Sequence, residues 1–207
     1  MVTHPREDVL EFLSVTVPQG QFSPRMAALQ PGDSIWVENT PFGFLTLDRF
    51  VDGETLWLIC TGTGLSAYIP MLRDDLTWDR FKKIILVHGV RTQDELAYRD
   101  EMMALMARYN VGDDKRLVYL AATSRQDWPA SSPDGVAPGV TAQRIPTALM
   151  NTTLESVAGK TLDPTTDRVM LCGNPEMVTV MRKHLAERGF AAGRRGIPGN
   201  LAVENYW

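Results

Sequence analysis

Thr61-Gly62-Thr63-Gly64 is the segment of this sequence with the plainest chemical potential. It follows directly on an apolar run, TLWLIC at residues 55–60, and leads into a stretch at 65–73 that reads as a helix. Gly62, Gly64 and Ala67 match a G-x-G-x-x-[GA] pattern in the strand-to-helix context that gives the pattern meaning. Glycine lets the backbone come close to a pyrophosphate, and the free amides at a helix start receive its charge. A tight turn without a ligand would use the same residues, so both readings stand on the pattern alone. The second strand ends in His88-Gly89-Val90-Arg91, where an NAD-binding domain usually carries Asp or Glu. Ser124-Arg125 follows the third strand and Arg144 opens the next helical stretch. Three arginines at such positions suit a ribose 2'-phosphate, which takes charge-assisted, often bidentate donors. Singly each also reads as a solvated surface residue; together they favour NADP over NAD.

Other candidate chemistry is sparser. Cys172-Gly173-Asn174-Pro175 closes the last long strand and starts a helix. Cys172 reads either as a residue touching a bound nicotinamide or as a small buried hydrophobe below a helix cap. Neither Cys60 nor Cys172 has a histidine at motif spacing, which argues against a Cys–His nucleophile. His4, His88 and His184 form no metal pattern, and G-x-S-x-G, P-loop and zinc motifs are absent. Tyr206 and Trp207 end the sequence, and such a pair either stacks on flat rings or packs on the sheet.

These groups need a scaffold, and from residue 54 the sequence alternates strand-like and helix-like runs. Apolar strands are expected at 55–60, 84–88, 116–122 and 168–172, and helices over 65–73, 94–109, 144–157 and 175–188. That order predicts a parallel sheet covered on both faces, with ligands at the carboxyl ends of its strands. Residues 126–141, rich in Pro, Gly, Ser and Asp, read as a loop, and no internal repeat is present. The first fifty residues read as β structure instead, with strands at 9–17, 34–38 and 44–47. Pro18-Gln19-Gly20, Pro31-Gly32-Asp33 and Pro41-Phe42-Gly43 supply the turns, and Ser23-Pro24 opens a short helix through Leu29. Three short strands cannot close a barrel or hide their edges, so this segment reads as part of a larger sheet. Hydrophobic residues at 44% and charged residues at 22% of 207 exclude wholesale disorder, and the net charge of -4 argues against nucleic acid as partner. A polar start, two distant cysteines and no membrane-length apolar run predict a cytoplasmic protein with reduced thiols.

Taken together, the motifs resemble the ferredoxin–NADP reductase family, specifically the bacterial ferredoxin/flavodoxin–NADP reductases. The matching elements are VTVPQGQFSPR (15–25), ALQPGD (28–33), ETLWLICTGTGLSAYI (54–69), RFKKIILVHGVR (80–91) and ELAYRDE (95–101). TSR (123–125), QRIP (143–146), MLCGNPEM (170–177) and the terminal ENYW follow in order, so the resemblance covers nearly the whole chain. It implies an α/β plus β flavoenzyme: an antiparallel FAD-binding barrel over residues 1–52 and a Rossmann-like parallel-sheet NADP(H)-binding domain over 53–207. Members carry an Arg-x-Tyr-Ser flavin motif just upstream of the segment matching residue 9, and this sequence contains none. The barrel is therefore expected to be partial, with exposed sheet edges and a tendency to dimerise, where a complete barrel would leave a monomer.

Carried over residue by residue, the resemblance places Val15, Val17 and Ser23 against FAD. Thr61, Gly62, Thr63 and Gly64 would hold the dinucleotide, with Thr63 beside the flavin and the incoming nicotinamide. Arg91, Arg125 and Arg144 would grip the 2'-phosphate, Ser124 would also bind cofactor, Cys172 and Gly173 would sit near the nicotinamide, and Tyr206 and Trp207 would cover flavin and adenine rings. Glu204 reads as an aid to proton handling or as a surface carboxylate. The implied reaction is hydride transfer between NADPH and flavin N5, then single-electron exchange with ferredoxin or flavodoxin, which Arg25, Arg194 and Arg195 would greet. The alternatives are an NADP-binding module without redox turnover and an NADPH-dependent reductase of free flavin.

Overall fold

Strands buried on both faces need near-continuous apolar sequence, and four central runs supply it. A computed structural model of the chain describes all residues except 5, 39, 41–42, 128–138, 141, 195–196 and 206–207. β1 (Thr55–Thr61), β2 (Lys83–Val90), β3 (Leu117–Thr123), β4 (Asp167–Gly173) and β5 (Leu201–Asn205) form one parallel sheet in the order β3-β2-β1-β4-β5. Alternation along each strand sorts the side chains. Leu56, Leu58 and Cys60 pack with α2 (Ile69–Arg73), α3 (Asp75–Arg80) and α4 (Arg99–Tyr109). Trp57 and Ile59 pack with α5 (Ile145–Met150), α6 (Thr153–Ala158) and α7 (Pro175–Glu187).

The expected alternation from residue 54 is present, with local breaks that have backbone causes. The chain leaves β1 as a 3-10 turn at Gly62–Ala67 before α2 begins. The helix expected from residue 94 starts at Arg99, because Tyr98 takes a left-handed φ of 59° behind a 3-10 turn at Gln93–Glu95. Thr152, at φ 63°, splits the stretch 144–157 into α5 and α6. Two elements escaped the sequence reading: α3, capped by the Asp74 side chain on the Leu76 N–H, and the edge strand β5. The loop expected over 126–141 lies mostly outside the described residues, although Val140 bridges to Ala122.

The first part of the chain departs further from expectation. Among the described residues before 55 there is one helix, α1 (Ser23–Ala27), a 3-10 turn at Leu47–Arg49, and no strand. Extended backbone becomes a strand only when a neighbour takes its N–H and C=O groups in a continuing ladder; among the described residues 9–17 makes one such bond to a neighbouring segment, the Val2 N–H to the Glu11 carbonyl at 2.8 Å, and 34–38 makes none. Val9, Leu10, Phe12, Val15, Val17, Ile35, Trp36 and Val37 are exposed as a result. Ser23 is not the N-cap of α1: its hydroxyl accepts the Val17 N–H at 2.8 Å instead. The segment is nonetheless tied down. Val2, Leu45 and Phe50 enter the apolar cluster beside β1 and α2. Arg73 donates to the Val2 carbonyl at 2.7 Å, to Glu11 at 3.0 Å and to both oxygens of Glu101 at 2.7 and 2.9 Å. The Tyr98 hydroxyl donates to Glu11 at 2.6 Å.

On the opposite face Glu155 is buried under α7, where Arg188 donates to its two oxygens at 3.0 and 2.8 Å and the Leu162 N–H donates at 2.6 Å. Burial would raise this carboxyl, but Arg188 and the Leu162 amide outweigh it and hold the group below its ordinary range. A carboxyl depressed in the folded state adds stability that is present above its ordinary pKa of 4.5 and is lost as pH falls. Glu155→Ala is expected to lower stability by about 2–3 kcal/mol at neutral pH, with the gap from the parent narrowing toward about pH 3. Urea unfolding at the two pH values checks this.

Candidate functional site

The carboxyl ends of β1, β2 and β3 and the start of α7 open into one cleft of about 1580 Å³, whose far wall is the chain between Leu13 and Ser23. Ten of the sequence-derived site residues line it: Val15, Val17, Ser23, Thr61, Gly62, Thr63, Arg91, Ser124, Arg125 and Arg144. Gly64, Cys172, Gly173 and Glu204 are not among the described residues that do. Tyr206 and Trp207 lie outside the described residues.

The glycines of the site divide by role. Gly62 has φ +53°, and a Cβ there would meet nothing within 4 Å, so this peptide faces open cleft. A Cβ on Gly64 would stand 2.6 Å from the Cys172 carbonyl oxygen. One on Gly173, at φ +126°, would stand 2.3 Å from Thr61 Oγ1 and 2.7 Å from the Thr61 carbonyl. Gly64 and Gly173 therefore let the ends of β1 and β4 close on each other beneath the loop, while Gly62 is the one open to a ligand. Thr61 Oγ1 accepts the Asn174 N–H at 2.8 Å, and Asn174 Oδ1 accepts the Glu176 and Met177 amides at 2.9 and 3.1 Å. The start of α7 is thereby locked to the glycine loop.

Below the loop, register lines up Glu204, Cys172, Cys60, His88 and Ala121 in one row across the five strands. Sequence spacing gave no sign that His88 and Cys60 are neighbours. Burial, then Cys172, pushes the Cys60 thiol well above its ordinary range, so it stays protonated and does not act as a nucleophile. Cys172 is fully buried in the same row, and Glu204 accepts the Phe44 N–H at 2.9 Å. His88 Nε2 lies 3.1 Å from the Gly62 carbonyl, which makes it the protonated nitrogen, because a carbonyl only accepts. Nδ1 is buried with no partner among the described residues.

Burial drives His88 down to about 4, against the opposing pull of the Gly62 bond. Because the folded value lies below the ordinary 6.5, the unfolded chain takes up a proton first as pH falls. Stability then drops between those two values and levels off below the lower one. The parent is expected to lose about 3 kcal/mol more than His88→Gln over that interval, measured by urea unfolding.

The arginines reach the cleft along extended backbone. The Ser124 N–H donates to the Val90 carbonyl and the Arg125 N–H to the Arg91 carbonyl, both at 3.0 Å, which continues the β2–β3 pairing past the strand ends and sets Arg91 beside Arg125. Arg91 Nε donates to Glu95 Oε1 at 2.6 Å, and its backbone N–H donates to Glu95 Oε2 at 2.8 Å. Arg144 meets Glu176 at 3.5 Å. Among the described residues Arg125 has no carboxylate partner, which leaves its full charge to the cleft. The sequence reading missed Glu95; its one signal was the four-residue spacing from Arg91.

Residues 58–183 match the family model described as the oxidoreductase NAD-binding domain. Over all 207 residues the chain is 38% identical to the flavodoxin/ferredoxin–NADP reductases of Escherichia coli strain K12 and Shigella flexneri, spanning 78% of each. The chain belongs to the ferredoxin/flavodoxin–NADP reductase family. A solved ferredoxin NADP+ reductase from Neisseria gonorrhoeae with bound FAD and NADP superposes with a TM-score of 0.86 at 32% identity, over 100% of this chain and 78% of that one. The chain thus shares the fold of that reductase along its whole length. Among the described residues no helix is long and apolar enough to cross a membrane.

Proposed function

We infer that the chain is an FAD-dependent oxidoreductase that transfers electrons between NADPH and ferredoxin or flavodoxin. The observation that carries this is the full-length match to reductases of that name, 38% identical over 207 residues. The cleft fits both groups: Gly62 leaves space for a pyrophosphate, Arg125 carries an unspent charge, and Val15 and Val17 offer an apolar wall to a flat ring. We divide the chain at residue 52, with the flavin-holding part before it and the NADP(H)-binding domain after it.

When bound, FAD supplies the exchange of a hydride at N5 with NADPH and of single electrons with the carrier. The protein's part is binding and alignment. The Thr61-Gly62-Thr63 backbone receives the pyrophosphate, and Arg91, Arg125 and Arg144, with Ser124, hold the 2'-phosphate. Thr63 stands beside the reacting rings, and Cys172 and Gly173 act from behind the cleft wall, holding the Thr61 peptide in place. Tyr206 and Trp207, expected over the rings, lie outside the described residues, and Glu204 orders the segment at Phe44. Arg25 and Arg194 meet an acidic carrier, Arg195 lies outside the described residues, and the protein works as a cytoplasmic enzyme.

The extended segments before residue 55, which form no strand among the described residues, favour a second reading, a module that binds NADP(H) without turnover. The deciding experiment is the visible absorption spectrum of the purified chain, with identification of any flavin released on denaturation. Stoichiometric FAD together with NADPH-dependent reduction of ferredoxin or flavodoxin supports the reductase. A colourless, folded chain that binds NADPH supports the module. NADPH oxidation that needs added flavin identifies a reductase of free flavin.

A further inference from the structure

The tip of β2 holds a carboxylate that its own strand does not encode. A 3-10 turn at Gln93–Glu95 brings Glu95 back onto Arg91, where it accepts the backbone N–H at 2.8 Å and Nε at 2.6 Å, with Nη2 closing on the same oxygen Oε1. Arg91 and Glu95 both line the cleft, and Arg125 is tied to Arg91 through the backbone at 3.0 Å. An acidic side chain at the end of the second strand of a dinucleotide fold accepts from an unphosphorylated ribose 2'-hydroxyl and repels a 2'-phosphate, whereas a guanidinium does the reverse. This chain sets both groups at one point, in contact with each other.

We propose that Glu95 is a specificity-determining residue that restrains the preference for 2'-phosphorylated over unphosphorylated dinucleotide, and the inference rests on the reading of Arg91 and Arg125 as the 2'-phosphate site. With Nε and Nη2 on Glu95, Arg91 keeps Nη1 for a phosphate oxygen. A dianion placed there feels the neighbouring carboxylate as a like charge in partly screened surroundings. An adenosine with a free 2'-hydroxyl feels no such repulsion and gains an acceptor. Nothing comparable acts at Arg125, which has no carboxylate partner among the described residues.

The test measures Kd by calorimetry for adenosine 2',5'-bisphosphate and for 5'-AMP, in the full chain and in Glu95→Gln, Arg91→Ala and Arg125→Ala. These probes differ only in the 2'-phosphate and report without any redox turnover. Gln keeps an acceptor for Arg91 Nε while removing the charge. The ratio of the two affinities is expected to shift about tenfold toward the bisphosphate in Glu95→Gln, equal to about 1.4 kcal/mol. It is expected to fall in both arginine variants. An unchanged ratio in Glu95→Gln, or weaker bisphosphate binding with 5'-AMP unaffected, overturns the proposal and reduces Glu95 to a clamp on Arg91. Loss of discrimination in Arg125→Ala in that same experiment shows that the phosphate site itself stands. If neither arginine variant alters the ratio, the reading of the site fails, and the proposal with it.

Discussion

Replacing Gly173 by alanine is expected to lower the midpoint of thermal unfolding by about 10 °C and to weaken NADP(H) binding at the same time. The new methyl would lie 2.3 Å from Thr61 Oγ1 and 2.7 Å from the Thr61 carbonyl oxygen, and the second of these is backbone that no rotamer change can clear. The residue would also be held at φ +126°, where an L side chain is strained. Overpacking and strain together cost about 3–5 kcal/mol, and each kcal/mol moves the midpoint of a chain this size by about 2–4 °C. Binding suffers through Thr61, which meets the Asn174 N–H at 2.8 Å and leads straight into the open Gly62 peptide. Gly62→Ala makes the contrast. Its methyl meets nothing within 4 Å, so stability should fall by only about 1–2 kcal/mol while ligand affinity is lost. Circular dichroism melts and NADPH titrations on the two variants separate these outcomes. Equal melting points would show that the β1–β4 closure is not as tight as the geometry states.

Arg125→Ala should raise the Kd for NADPH by about 30-fold, near 2 kcal/mol, and change the Kd for NADH by less than about threefold. The asymmetry follows from the partners around the cleft. Arg91 and Arg144 already hold Glu95 and Glu176, so part of their charge is spent before a ligand arrives. Among the described residues Arg125 is held by its backbone alone, through the Arg91 carbonyl, and no carboxylate competes for it. Its removal therefore takes away a charge-assisted contact that the 2'-phosphate uses and the free hydroxyl does not. The effect should shrink at high ionic strength, because the cleft is open and screened. An equal loss for both nucleotides would assign Arg125 to the shared pyrophosphate or to the fold.

Much of this was legible in the order of residues, for local reasons. The four strands from Thr55 to Gly173 announce themselves as apolar runs, because a strand covered on both faces tolerates little else. Asn174-Pro175 announces the start of α7, since a side-chain acceptor followed by proline suits a first helical turn, and the structure bears that cap out. The strand–glycine–helix junction at Thr61–Gly64 marks the ligand end of the sheet through turn chemistry alone. Helix breaks at Tyr98 and Thr152 were invisible, because either residue can be helical, and only its packed surroundings hold it at positive φ.

What no local pattern encodes is lateral. Strand order β3-β2-β1-β4-β5 makes neighbours of β1 and β4, which the sequence separates by two other strands. That order alone sets Gly173 against Thr61 and stands His88, Cys60 and Cys172 side by side. It is the turn after β2 that returns Glu95 to Arg91, and the β2–β3 pairing that brings Arg125 beside it. The segment before residue 55 carries strand-forming residues, yet none of its described residues forms a strand, because a strand is a relation between two backbones and not a property of one. Residue types thus settle which chemistry is on offer, a glycine cradle and three arginines for a phosphorylated dinucleotide. Register and crossover settle which of those groups meet, since contacts between strands are chosen by the fold as a whole.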